Sequence, residues 1–445
     1  MDVKVPLPVL LALLVIMIGA VAGAFIYGVT VPKTGPVANL VFELKEALQQ
    51  TEDALRGNNP YGYIDSNQER VVTVRDEQAM QPGLTLIAAI DKDFNAMVRV
   101  VSSTGDVVQE WVVDWYELWP DPNHIQKVKQ PKKKPAAFVH GAQILADHSL
   151  MFNFEYLGMM RLDACSNVMW RLPYITHHSL MPDGQGNFWA GGRNWIPEED
   201  AKRYPHLRTP RLIDTLVRVS PEGEILETIS MPDILSENDL MGFLFMSTTR
   251  NFDTSVNEGV DVLHLNDAEV FPEDMEPGLF EPGDIMLSLR NINTIIVIEP
   301  DTRRIKYLRT GGFVRQHDPD FVDGNTISIY DNNHSAPEDV EISSRIVTLD
   351  ARTDEITVRY PTETDPAFYS NVLGNHQLLP NGNILITASF EGRALEIDSS
   401  NKPVWEYFNI VESGETLGVI IEASRLPVEL TAESFASARQ ACGTP

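Results

Sequence analysis

"HHSLMPDGQGNFWAGG" (residues 177–192) sets two adjacent histidines before a short apolar run, an Asp-Gly turn and a second apolar run. Strand, tight turn, strand is the pattern of an antiparallel hairpin. The plan recurs in "HGAQILADHSLMFNF" (140–154), "HDPDFVDGNTISIYDN" (317–332) and "NHQLLPNGNILITAS" (375–389). A second hairpin follows each. It is found at 97–113, 159–172, 215–229, 294–308, 345–360 and 393–407, always as strand, acidic or small-residue turn, strand. Two hairpins make one four-stranded antiparallel sheet, so six second hairpins predict six sheets. One such sheet cannot cover both of its faces, whereas six arranged radially cover each other, which is a β-propeller. The least regular first hairpin is "DVLHLNDAEVF" (261–271) with "GDIMLSLRN" (283–291), split by an acidic insertion. The copies lie about fifty to sixty residues apart, wider than the roughly 40–45 of WD repeats, because loops are inserted between strands. "TLGVIIEASR" (417–426) is expected to pair with the first blade and close the ring.

Working outward, the reading is an all-β, six-bladed β-propeller over residues 80–430, with a C-terminal tail over 431–445. An N-terminal transmembrane helix and a helical stalk precede it. No charged residue occurs from Val5 to Pro32, a run long enough to cross a bilayer. Ala20-Val21-Ala22 resembles a signal-peptidase site, but the apolar run continues through Phe25, Ile26 and Tyr27, which favours an uncleaved signal-anchor over residues 1–32. The large domain is then expected outside the cytoplasm, periplasmic in a bacterium, on a single-pass membrane protein. Within the stalk and linker (33–79), Leu40, Leu44, Leu48 and Leu55 form one helical stripe, which would either pack on the domain or pair with another copy in a homo-oligomer. The formal net charge of −28 argues against a nucleic-acid partner; the basic string "KVKQPKKKP" (127–135) reads as a solvated loop. The two cysteines, Cys165 and Cys442, show no metal-binding spacing, and their pairing stays open.

In a propeller the first strand of each blade lies nearest the axis, so its entrance residues meet at one end of the central channel. Six of the ten histidines occupy that position: His140, His177, His178, His264, His317 and His376. A lone histidine at a strand end is usually structural. Imidazoles gathered from distant segments point instead to nucleophilic, acid–base or metal chemistry. Four neutral imidazoles would suit iron, zinc or copper. Against metal, His264 and Asn266 stand two apart on one strand face and Arg290 follows in the next strand, and Arg and Asn suit the oxygens of a sulfate or phosphate. A third reading is a non-catalytic tethered propeller that binds a protein or glycan.

"HHSLMPDGQGNFW", the His-x-Asn of "HLNDAEVF", the later "SLRN", "RQHDPDFVDGNTISIYDN" and "NHQLLPNGNILITA", in this order, resemble the bacterial arylsulfotransferases. These are six-bladed propellers that move a sulfuryl group from an aryl sulfate to a phenol. The resemblance spans roughly residues 80–430. It implies that His317 attacks sulfur and carries the sulfuryl group transiently, with ping-pong kinetics. It further implies that His264, Asn266 and Arg290 hold sulfate oxygens, that one of His177 and His178 is another site histidine, and that no metal or cofactor is needed. His140 and His376 enter from the repeat geometry. We place His317, His264, Arg290 and His178 in the catalytic set, and Asn266, His177, His376 and His140 in the substrate-binding set. Asp318, directly after His317, would either raise its pKa or orient it. Phe188, Trp189, Trp195, Phe313 and Tyr330 are divided between an aryl pocket and core packing.

Overall fold

Six antiparallel sheets, each built on a first strand that faces the axis, carry the molecule. The computed structural model describes residues 63–204, 207, 211–246, 261–334, 342–412 and 415–442. Blade 1 orders Ile420–Arg425, Thr85–Ile90, Ala96–Val101 and Val107–Val113; blade 2 runs from Val139–Ile144 to Val168–Leu172. Blades 3, 4 and 5 run from Ile175–Pro182 to Ile225–Ser230, from Leu265–Val270 to Arg304–Thr310, and from His317–Phe321 to Glu355–Tyr360. Blade 6 orders His376–Leu378, Ile384–Ala388, Arg393–Ile397 and Pro403–Phe408, with Val72–Val74 added at its outer edge.

Burial follows from this radial packing. The second strand of blade 6, Ile384–Ala388, is buried at every position because neighbouring blades cover both faces. The outer strand of blade 1, Val107–Val113, alternates instead, with Gln109, Trp111 and Val113 buried. Between blades the apolar faces interdigitate. Trp111 and Val98 of blade 1 share a core with Phe152 of blade 2, and Trp405 and Leu385 of blade 6 share one with Ile87 of blade 1. Each such side chain contributes about 1.5–3 kcal/mol.

The ring closes twice. Ile420–Arg425 pairs with Thr85–Ile90, as the sequence predicts, and Val72–Val74 pairs with Pro403–Phe408. The second closure corrects the expected boundary: residues 72–74 belong to the propeller and not to a linker ending at 79. Tyr63–Asp65 likewise pairs with Thr416–Gly418 in a small three-stranded sheet. Three-residue strands are too short to show a period of two, which is why the sequence hides them. The expected C-terminal tail is a helix, Ala432–Ala441, whose Thr431 cap accepts from the Ser434 N–H. Its Phe435 is fully buried against Trp111, and Cys442 is disulfide-bonded to Cys165 of blade 2. The transmembrane helix (1–32) and stalk stripe (38–57) that the sequence leads one to expect lie outside the described residues, among which no helix is long and apolar enough to cross a membrane.

Hydrogen bonds link the inner edges of the blades around the whole axis. Ala142 N–H donates to Glu422 (3.1 Å), Asn153 to the His178 carbonyl (2.9 Å), and Ala268 N–H to Ser179 Oγ (2.9 Å). Asn266 donates to the Gln316 carbonyl (2.8 Å), His376 N–H to Asp318 (2.5 Å), and Asn375 to the Ala423 carbonyl (3.1 Å). This circuit fixes the register of what lines the channel.

Candidate active site

Five of the six first strands break register near the channel mouth, between His140 and Gln143, His177 and Leu180, Leu265 and Asp267, His317 and Pro319, and Ile420 and Glu422. A bulge inserts an unpaired residue and re-aims its neighbours. Left-handed backbone marks the same places, at Gly141 (φ 57°), His178 (φ 56°), His264 (φ 55°) and Asp318 (φ 47°). Gly141 is required by space as well, since a Cβ there would stand 2.5 Å from the His178 carbonyl oxygen.

The bulges bring five histidines from four blades into one buried cluster centred on His178. Its ring centroid lies 4.9 Å from His140, 5.1 Å from His177, 5.1 Å from His264 and 6.4 Å from His317. Burial, reinforced by the neighbouring imidazoles, holds His178 well below the ordinary histidine range, and His140 is lowered for the same reason. For His177 burial again leads, followed by the charge of Arg193. His317 is lowered to about 3, first by burial and then by Arg290.

His317 is the most constrained of the five. Asn332 donates to the carbonyls of Ser370 (2.9 Å) and Leu373 (2.7 Å), which leaves its Oδ1 to accept from His317 Nδ1–H at 2.6 Å. With the proton fixed on Nδ1, the lone pair resides on Nε2, and that atom is buried without a hydrogen-bond partner. The Nε2 atoms of His140 and His177 are unpartnered too. Asp318 does not blunt His317; its carboxylate turns to the neighbouring blade and accepts from His376 Nδ1 (3.0 Å).

A cationic side completes the site. Among the described residues the guanidinium of Arg290, at the end of the second strand of blade 4, donates only to Asn291 Oδ1 (3.3 Å), an oxygen that Arg315 shares. Among the described residues no carboxylate pairs with either guanidinium, so both stay available to an anion. Beside them, His264 Nδ1 contacts Asp261, while Arg193 pairs with Asp214 (2.9 Å) and Asp261 (2.7 Å) and stacks on Tyr156 (4.6 Å). Burial opposes ionisation of Asp261, but the bond from His264 and the charge of Arg193 outweigh it and hold the carboxyl far below its usual range. The Tyr156 ring lies 4.8 Å from His177, and its hydroxyl is 3.5 Å from His264.

Two sequence-predicted residues take other roles. His376 has both nitrogens occupied, Nδ1 by Asp318 and Nε2 by Ser328 (2.6 Å), so it stands outside the cluster. Asn266 spends an N–H on the Gln316 carbonyl and so fixes the chain just before His317. Asn332, Tyr156, Arg193, Asp261 and Arg315 escaped the sequence reading. Asn332, Asp261 and Arg315 lie in the stretches that carried it; nothing local marks Tyr156, which sits in a turn at φ 61°. Of the aromatic residues, Phe188, Trp189, Phe313 and Tyr330 are buried in the core, and Trp195 packs under Lys129 (4.9 Å).

A family model described as Arylsulfotransferase (ASST) matches residues 141–410, more than half of the chain. The chain belongs to the arylsulfotransferase family. No curated protein matches it. Among solved structures, a protein of unknown function from Bacteroides caccae is 12% identical, covering 77% of this chain and 98% of its own, at a TM-score of 0.43. Virginiamycin B lyase from Staphylococcus aureus is 10% identical over 79% of this chain and 99% of its own (TM-score 0.36). The WD40 β-propeller domain of Doa1 is 12% identical over 81% and 84% (TM-score 0.37).

Proposed function

We propose that this arylsulfotransferase-family chain transfers a sulfuryl group from an aryl sulfate to a phenol through a sulfohistidine at His317 Nε2. The observation that carries the reading is the Nδ1–H tautomer enforced by Asn332, which leaves a neutral, buried and unpartnered Nε2. In the first half-reaction the Nε2 lone pair forms the N–S bond as the S–O bond to the aryl group breaks, the phenolate leaving with the bonding pair. Arg290 and Arg315 offset charge on the sulfuryl oxygens, where donors held away from water act most strongly. His264, whose Nδ1 faces Asp261, exchanges the proton, giving it to the departing phenolate and later taking one from the incoming phenol. Attack of that phenol oxygen on sulfur breaks the N–S bond and frees His317. Ping-pong kinetics follow.

The test is transfer from a chromogenic aryl sulfate to phenolic acceptors by the purified full chain, with mass-spectrometric search for a sulfuryl group on His317. Transfer by wild type and none by His317→Ala supports the reading; no transfer to any phenol by wild type overturns it.

We also place the propeller outside the cytoplasm, tethered by the apolar segment Val5–Pro32, because the Cys165–Cys442 disulfide fits an oxidising compartment. A second reading, a histidine-ligated metal enzyme, draws on His140, Glu155 and His178, whose ligand atoms lie within 4.8 Å of one another. One equivalent of iron, zinc or copper in the purified protein would favour it.

A further inference from the structure

A cavity of about 110 Å³ has His140, His178 and His317 on its wall together with five carboxyl groups, Asp267, Glu269, Asp318, Asp320 and Glu422. Asp267 and Glu269 alternate along the first strand of blade 4, and Asp318 and Asp320 along that of blade 5, so each pair points to one side of its strand. Glu422 comes from the closing strand of blade 1. Neither Lys nor Arg lines this cavity. Five carboxylates gathered without a cationic side chain repel each other, and Asp318 is felt by all four of the others.

Two further features point to a ligand. The carboxamide oxygen of Asn266, which lines the same cavity, is buried and accepts no hydrogen bond, although the opposite end of that amide is anchored on Gln316. His376, which the transfer chemistry does not use, directs its Nδ1–H and its backbone N–H at Asp318, and Ser328 holds its other nitrogen. Carboxylates that ligate a metal are themselves held by hydrogen bonds, as Asp318 is here.

We propose that this cavity binds a hard divalent cation of the calcium class, seated on Asp318 and Asp320, whose oxygens lie within 4.8 Å of each other, with Asp267, Glu269 and the Asn266 oxygen turning in to complete the shell. An all-oxygen, carboxylate-rich set from several strands gives the number and looseness of ligands that Ca²⁺ takes, and it disfavours the softer metals that imidazole selects. The ion would join blades 4 and 5 beside His317 and thereby tighten the mouth of the site. The proposal is independent of the sulfuryl-transfer reading, since its readout is metal content and thermal stability.

The experiment uses the full chain purified in detergent without chelator. Elemental analysis should find about one calcium per chain, and EDTA treatment should lower Tm by several degrees, an effect that added Ca²⁺ reverses and K⁺ does not. Asp318→Asn with Asp320→Asn, near-isosteric changes, should weaken Ca²⁺ binding by at least about 100-fold. Wild-type protein without bound calcium or magnesium, and with a Tm indifferent to Ca²⁺ up to the millimolar range, would overturn the proposal in favour of carboxyls that share protons. Should the double variant fail to fold, the wild-type titration decides alone.

Discussion

Replacing Asn332 by leucine probes the site through one hydrogen bond. Asn332 is fully buried and joins three partners: it donates to the Ser370 and Leu373 carbonyls and accepts from His317 Nδ1–H at 2.6 Å. Leucine keeps the volume and removes all three. His317 Nδ1–H is then left with only the longer contact, 3.1 Å, to the Arg315 carbonyl. The net value of a neutral hydrogen bond, about 1 kcal/mol, rises to about 3 kcal/mol when a buried group loses its partner. Loss of the tautomer lock therefore lowers the fraction of His317 with a free Nε2 and slows transfer roughly 10- to 100-fold, at about 1.4 kcal/mol per factor of ten. The Leu373 carbonyl is left without a partner while the Ser370 carbonyl keeps the Ser344 hydroxyl (3.2 Å), so stability falls as well, by roughly 1–3 kcal/mol. Single-turnover transfer from a chromogenic aryl sulfate, measured alongside urea unfolding, separates the two effects. In the folded variant kcat should fall while the donor KM stays within about twofold, because Asn332 acts through His317 rather than on the substrate. A folded variant that transfers within twofold of wild type would refute the argument.

The titration of His317 gives a second expectation. Its folded value of about 3 lies below the ordinary 6.5, so the unfolded chain binds more protons between those values. The stabilisation is complete above pH 6.5 and is lost as pH falls towards 3. At pH 5 this amounts to about 2 kcal/mol, so wild type should lose that much more stability than His317→Asn between pH 8 and pH 5 in chemical denaturation. An equal loss in both proteins would contradict a neutral buried imidazole. Cys442→Ser should release the C-terminal helix from blade 2 and cost about 2–4 kcal/mol, read as a lower Tm that matches wild type under reducing conditions.

The hairpin plan was legible because it is local. Alternation with period two and turns such as Asp183-Gly184 depend on residues adjacent in the chain, and they located the strands of six blades and the closing strand Ile420–Arg425. Position in the repeat also placed His140, His177, His178, His264 and His317 near one another, since the entrance of a first strand is a fixed point in a propeller. It failed for His376. The rule assigns a side chain to the channel mouth, but Asp318 and Ser328 on the neighbouring blade hold this imidazole among the carboxylates.

What the sequence by itself determined, then, is the sheet count, the ring and the set of histidines near its axis, all of which follow from backbone period and turn chemistry. Only the tertiary structure decided which nitrogen of His317 carries the proton, which imidazoles touch, and that Tyr156, Arg193, Arg315 and Asn332 surround them. The physical reason is that tautomer, charge pairing and burial are set by atoms on neighbouring strands and blades, brought within 3 Å by bulges whose left-handed residues, His178, His264 and Asp318, are not glycines and leave no local mark.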